Sequence, residues 1–195
     1  PHSKREIYFG IEYFLDKALA GQITLKKHIR YLLYLAFLNY FENPLISLEY
    51  LEEAYQLDPV NLLVNNNLAL LYRDLDDYEQ SLFYYNQLHE LAKSKRDWRF
   101  ASISLSNLGA IYQITEQFAL AIKFYYEALA INQRLGLNVL ASGQYYNLAL
   151  LHHRRGHLSE ACRNYREAYV IYLKAEDQRA SGVKSRIDSL ACYKL

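Results

Sequence analysis

Asn67-Leu68-Ala69-Leu70-Leu71-Tyr72, Asn107-Leu108-Gly109-Ala110-Ile111-Tyr112 and Asn147-Leu148-Ala149-Leu150-Leu151-His152 are three versions of one hexapeptide set 40 residues apart. The same phase holds further along each copy. Tyr78, Phe118 and Leu158 correspond, then Ser81, Ala121 and Ala161, then Tyr85, Tyr125 and Tyr165. Leu88, Ala128 and Ala168 follow, and Leu91, Ile131 and Ile171 close the series. Self-similarity at a fixed period of this size is the signature of stacked repeats, in which each unit buries its apolar face only against its neighbours.

Within one copy the pattern predicts two helices. Ala101 to Thr115 forms the first and Phe118 to Leu135 the second, with Glu116-Gln117 turning between them. Gly109 and Ala121 fall on facing sides, so the backbones approach closely there while Leu108, Tyr112, Phe118 and Tyr125 fill the space around them. Leu57-Asp58-Pro59 with Asn61 reads as a turn between repeats. Proline cannot continue a helix interior, and the residue before it is biased toward extended geometry.

These residues resemble the tetratricopeptide repeat, whose signature is a Leu-small-x-x-Tyr helix followed by a small-x-x-x-aromatic-x-x-small helix. Leu108-Gly109-x-x-Tyr112 and Ala121-x-x-x-Tyr125-x-x-Ala128 carry it here. The resemblance implies an all-α fold, a right-handed α-solenoid of helix-turn-helix repeats with capping helices at both ends. Pairing Ser47 with Ser81 and Leu57 with Leu91 gives a first spacing of 34, after which the spacing is 40. Units of the longer kind are similar to those of kinesin light chains, spindle-orientation adaptors and bacterial peptide-sensing regulators. The organisation expected is one domain over residues 1–195. It comprises an N-terminal helix in 1–27, repeats at 28–61, 62–101, 102–141 and 142–181, and a C-terminal capping helix in 182–195. Within the first segment the helix is placed at Lys4 to Ala20.

Composition narrows the function. Basic and acidic residues number 22 and 21 for a net charge of +1, which gives no electrostatic reason to expect nucleic acid or an anionic membrane as partner. No apolar run reaches the 18 or so residues that span a bilayer, and no secretory leader pattern opens the chain. A cytoplasmic protein is the expectation. The chain starts at Pro1 and contains no methionine, which fits either loss of an initiator or a segment of a longer protein. Cys162 and Cys192 are the only cysteines. Two buried free thiols are expected of them in a reducing compartment.

No catalytic residue is assigned. The chain lacks a phosphate-binding glycine loop and the G-x-S-x-G and H-E-x-x-H motifs. His152-His153-Arg154-Arg155-Gly156-His157 is the densest polar cluster. His152 fills a slot held by Tyr72 and Tyr112, and Gly156 breaks the helix between His153 and His157, so neither a metal nor a cofactor is expected. Tyr72, Tyr78, Tyr85, Tyr112, Tyr125 and Tyr165 are read as core rings, whereas Tyr84, Tyr126 and Tyr146 keep their hydroxyls near water.

By resemblance, the first helix of each unit lines a concave groove. Its exposed face presents Asn66, Asn67 and Arg73 in one unit, Ser106, Asn107 and Gln113 in the next, and Tyr146, Asn147, His153 and Arg154 in the third. Asparagine is a mediocre helix former, so three at equivalent mid-helix points ask for a cause. A primary amide both donates and accepts and can pair with the backbone of an extended peptide. The resemblance implies such a ladder at Asn67, Asn107 and Asn147. In the first unit, Leu33 is placed where that asparagine would stand, with Ile29, Leu32 and Ala36 around it, making that end apolar. The lysine, asparagine and arginine set of chaperone-tail-binding repeats is not assembled. The function expected is a protein-interaction scaffold binding a peptide. The alternatives are a ligand-sensing module of a transcription or signalling protein, though no DNA-binding helix-turn-helix accompanies it, and a scaffold that self-associates through its end helix.

Overall fold

The computed structural model describes residues 24–192; the helix expected at Lys4 to Ala20 lies outside them. Nine α-helices and no strands occur among the described residues. The chain divides after Asp76 into two compact units.

The first unit holds α1 (Leu25–Asn39), α2 (Pro44–Leu57) and α3 (Leu62–Asp74). Pro44 occupies the first turn of α2, where its missing N–H costs nothing. The turn at Asp58 to Asn61 forms as the sequence predicts. Asp58 ends α2 in an extended conformation (φ −151°, ψ 82°), and the Asn61 side chain accepts from the N–H groups of Leu63 and Val64 to cap α3. Asn61 Nδ2 donates to Asp58 Oδ2 at 3.1 Å. Asn65 Nδ2 donates to the Pro59 and Asn61 carbonyls at 2.8 and 2.9 Å. Ser47 sits in the small-residue slot of α2 and donates its hydroxyl to the Ala36 carbonyl at 2.8 Å.

The register expected for α1 is off by one residue. Leu35 and Ala36 are the buried pair equivalent to Leu68 and Ala69, while Ile29 and Leu32 are core. Tyr34, 52% exposed, therefore takes the asparagine position instead of Leu33. The cause is the α1–α2 connection. It spans 40–43, four residues against three in the later turns, and α1 ends three residues past Ala36 where the later first helices run five past Ala69 or Gly109. The net change is one residue, enough to shift a face defined by a constant spacing.

The second unit is more regular. α4 (Tyr78–Ser94), α5 (Trp98–Ile114), α6 (Phe118–Arg134), α7 (Asn138–Arg154) and α8 (Leu158–Lys174) are each 17 residues long, and α9 (Arg179–Ser189) follows. Three-residue turns join α4 through α8, so helices start every 20 residues. The middle residue of each turn is left-handed: Arg96, Glu116, Gly136 and Gly156, with Glu176 after α8. The residue after it donates its N–H five residues back, from Asp97 to Ala92, Gln117 to Tyr112, Leu137 to Asn132, His157 to His152 and Asp177 to Tyr172, at 2.7 to 3.0 Å. This is the Schellman closure of a helix C-terminus. Between α4 and α8 that same residue is also the N-cap of the next helix.

Packing between α5 and α6 follows the small-to-large logic of the sequence. A Cβ on Gly109 would lie 2.8 Å from the Tyr125 ring and 3.3 Å from the Ala121 carbonyl oxygen. Only glycine permits that approach. Tyr85, Tyr125 and Tyr165 are fully buried, as their slots predict.

The cysteine expectation fails. Cys162 and Cys192 form a disulfide with their Cα atoms 5.2 Å apart. It ties the second turn of α8 to the residues just after α9. Val183 is the only buried residue within α9, so the staple compensates for a helix with little apolar surface of its own. Spacing in the sequence could not reveal that the chain returns to α8 after α9.

Candidate functional site

In each first helix the expected binding positions are two adjacent half-buried residues that immediately precede a fully buried pair. They are Asn66 and Asn67 in α3, Ser106 and Asn107 in α5, and Tyr146 and Asn147 in α7. Leu68-Ala69, Leu108-Gly109 and Leu148-Ala149 immediately after them are buried and hold each helix in register.

In the first unit, Asn66 Nδ2 donates to Asn67 Oδ1 at 3.3 Å. Arg73 makes a two-point contact with the Asp74 carboxylate at 2.7 and 2.9 Å. Tyr40 donates to the other oxygen of that carboxylate at 2.6 Å. The positive charge assigned to Arg73 is thus largely neutralised. Asn67 also edges an apolar pocket of about 220 Å³ formed with Phe37, Tyr40, Phe41, Leu51 and Leu70. Phe37 and Phe41 are 69% and 88% exposed, so this unit does present an apolar face, although from neighbouring residues rather than from Leu33.

In the second unit, Asn107 and Asn147 make no side-chain hydrogen bond among the described residues. Neither tethers a neighbouring repeat. Ser106 differs, because its hydroxyl accepts from Gln144 Nε2 at 2.7 Å. Gln144 Oε1 in turn accepts from Asn132 Nδ2 at 2.9 Å, and Asn132 Oδ1 accepts from the Ser102 hydroxyl at 2.7 Å. This polar chain links α5, α6 and α7 through four side chains, of which Ser102, Asn132 and Gln144 are buried. Sequence reasoning missed it, since Ala92 and Tyr172 occupy the positions equivalent to Asn132 and no repeat signal marks the slot.

Gln113 Oε1 accepts from the buried Tyr125 hydroxyl at 3.0 Å, and burial pushes that phenol well above its ordinary range. At the equivalent position in the next repeat stands His153, and the Tyr165 hydroxyl is buried without a hydrogen-bond partner. Burial, with Tyr146 beside it, raises the Tyr165 phenol to about 12. The Tyr146 ring meets the Tyr165 ring edge-on at 5.8 Å. It also walls a small pocket with Tyr172, Arg179, Gly182 and Val183. Arg154 lies over the Phe118 ring, 5.8 Å from its centroid, and 3.7 Å from Glu116. Both ring nitrogens of His152 are buried without partners, and burial lowers its pKa below the usual imidazole value. A neutral core ring suits that environment. Among the described residues no three histidine, cysteine or carboxylate side chains gather around a point that could hold a metal, and no helix is long and apolar enough to cross a membrane.

Comparison with known proteins agrees with this architecture. The tetratricopeptide repeat profile matches residues 61–134 and 100–174. No curated protein matches the chain in sequence. Among solved structures, aspartyl phosphate phosphatase F from Bacillus subtilis is similar with a TM-score of 0.76 at 17% identity, over 85% of this chain and 44% of the phosphatase. MamA gives 0.62 at 17% identity over 83% of this chain and 95% of its own. The Cut9–Hcn1 hetero-tetramer of the APC/C gives 0.64 at 20% identity over 91% of this chain and 34% of the matched one. The chain thus spans less than half the length of the phosphatase it resembles.

Proposed function

The chain belongs to the tetratricopeptide repeat family, and from that premise we propose that it is a non-catalytic scaffold that binds an extended peptide segment of a partner protein. The observation that carries the reading is the pair of amides at Asn107 and Asn147. They are half-exposed and equivalent in the repeat, and no group among the described residues uses their hydrogen-bonding capacity. An amide held so on a helix can donate to a peptide carbonyl and accept from a peptide N–H. The first unit carries its own counterpart, Asn67 on α3, where the pocket beside it accepts one apolar side chain. Asn66 and Arg73 accompany Asn67 in that unit, and Ser106, Gln113, Tyr146, His153 and Arg154 accompany Asn107 and Asn147 in the second. One such segment binds near ~1 µM, roughly −8 kcal/mol.

The test is affinity capture from native lysate, comparing wild type with the Asn67→Ala/Asn107→Ala/Asn147→Ala variant. A protein retained by wild type alone supports the reading and identifies the partner. Equal retention by both would move the site off this face. The likeness to a phosphatase of which this chain covers only 44% favours a second reading, in which the chain is the sensing module of a longer signalling protein. Binding of a free short peptide with no macromolecular partner captured would favour it.

A further inference from the structure

A cleft of about 710 Å³ opens on the second unit where the end of α8 passes the start of α7. None of the residues proposed for the peptide face lines it. Leu137, Val139, Leu140 and Ile171 give it an apolar wall, and Arg99 and Lys174 stand at its margin. No carboxylate lines the cleft. Arg99 and Lys174 make no hydrogen bond or ion pair among the described residues, whereas Lys93 and Arg179 nearby are held by Glu90 and Asp177 at 3.0 and 2.7 Å.

The repeat explains why the charges here are left over. Asp97, Leu137 and Asp177 occupy one equivalent position. Asp97 accepts from the Phe100 N–H at 3.1 Å. Asp177 accepts twice from the Arg179 guanidinium, at 2.9 and 2.7 Å, and that contact holds its carboxyl down at about 2. Between the two, Leu137 contributes an apolar side chain to the cleft wall and no negative charge. The chain as a whole is nearly balanced at +1, whereas the charged residues that line this cleft are both cations, set beside an apolar surface.

We propose that the cleft is a second docking site, for an acidic segment of a partner protein in which carboxylates alternate with apolar side chains. The carboxylates fit Arg99 and Lys174, and the apolar side chains lie against Leu137, Val139, Leu140 and Ile171. Charge complementarity of this kind sets the partner's sign and speeds encounter.

The ¹⁵N-labelled chain titrated with a capped Glu-Leu-Glu-Leu peptide tests the idea, with capped Lys-Leu-Lys-Leu as the counter-probe. Amide shifts are expected around Gly136, Val139, Ile171 and Ala175 with the acidic peptide alone. Arg99→Glu/Lys174→Glu should weaken binding about tenfold, as should raising salt well beyond the concentration at which the Debye length is about 10 Å. Lys95→Glu/Lys123→Glu, outside the cleft, should leave it unchanged, as should Asn107→Ala/Asn147→Ala, which keeps this site separate from the peptide face. Equal binding of both peptides, shifts away from the cleft, or an unchanged affinity in a folded Arg99→Glu/Lys174→Glu variant would overturn the proposal. So would light scattering that shows wild type self-associating and that variant monomeric, because the occupant would then be a second copy of the chain.

Discussion

Replacing Gly109 with alanine probes the close approach of α5 to α6 in the second unit. Two opposing effects arise. Alanine is the better helix former by about 1 kcal/mol, which alone would stabilise α5. The new Cβ would lie 2.8 Å from Tyr125 Cε1 and 2.9 Å from Cδ1, and the ring cannot swing away freely because it is buried and its hydroxyl is tied to Gln113. Overpacking of this kind costs about 1–3 kcal/mol. The propensity term cancels when the comparison is Gly143→Ala in α7, where the added Cβ would meet only the Tyr172 hydroxyl at an ordinary 3.8 Å. Gly109→Ala should therefore be less stable than Gly143→Ala by about 1–3 kcal/mol, with Gly143→Ala at or above wild type. Urea denaturation followed by circular dichroism at 222 nm measures the difference, provided the slopes agree. One feature limits the size of the effect. Ala149 already faces Tyr165 between α7 and α8, so the α5–α6 pair has a nearby spacing to relax toward. A Gly109→Ala variant as stable as Gly143→Ala would show that the pair relaxes without cost, and that the glycine is not needed for packing.

The polar chain makes a second prediction: Asn132→Ala strands the Gln144 side-chain oxygen and leaves the Ser102 hydroxyl only its 3.4 Å contact with the Ala128 carbonyl, and should cost about 1–3 kcal/mol in the same assay. Reduction of Cys162–Cys192 reopens a loop of 30 residues, a closure worth about 3–4 kcal/mol in the chain-entropy account. Hydrogen exchange should then speed up in α9 while α5 and α6 keep their protection. His152 has a lowered pKa in the folded chain, so the unfolded chain binds the proton first as pH falls. Its contribution is full above the ordinary value of 6.5 and is lost as pH drops from there through the folded value. His152→Tyr, the residue found at Tyr72 and Tyr112, should remove that part of the slope when denaturation midpoints are compared between neutral and mildly acid pH.

The repeat slots were legible because each is filled by size. Leucine, a small residue and a ring recur in phase, and Tyr85, Tyr125 and Tyr165 are buried where that phase puts them. The turn at Asp58 to Asn61 was legible because proline and an Asx cap act locally. Features set by geometry rather than by residue type were not. The first helix shifted by one because α1 ends two residues sooner after its small residue while the connection that follows is only one residue longer. The 20-residue beat of the second unit stayed hidden, since first and second helices fill their slots differently and show no likeness at that spacing. The left-handed residue in each turn is glycine at only two of five places, the others being Arg96, Glu116 and Glu176, so the usual signal was absent. The disulfide and the Ser102–Asn132–Gln144–Ser106 chain depend on contacts between helices that no local pattern encodes.

The turns of the second unit have a consequence for how the chain can change in length. From Asp97 to His157, one residue both completes the helix before it and starts the helix after it, and no spacer separates those roles. A single inserted residue there has nowhere to be absorbed. It must unwind a helix end or turn the face of the next helix by about 100° and present its polar side to the core. Insertions and deletions in relatives are thus expected to arrive in whole steps of one helix and its turn. The four-residue connections at 40–43 and 58–61 are where single-residue indels should be tolerated. Length variation among homologues would therefore mark the two units as differently as their sequences do, with α1 to α3 elastic and α4 to α8 quantised.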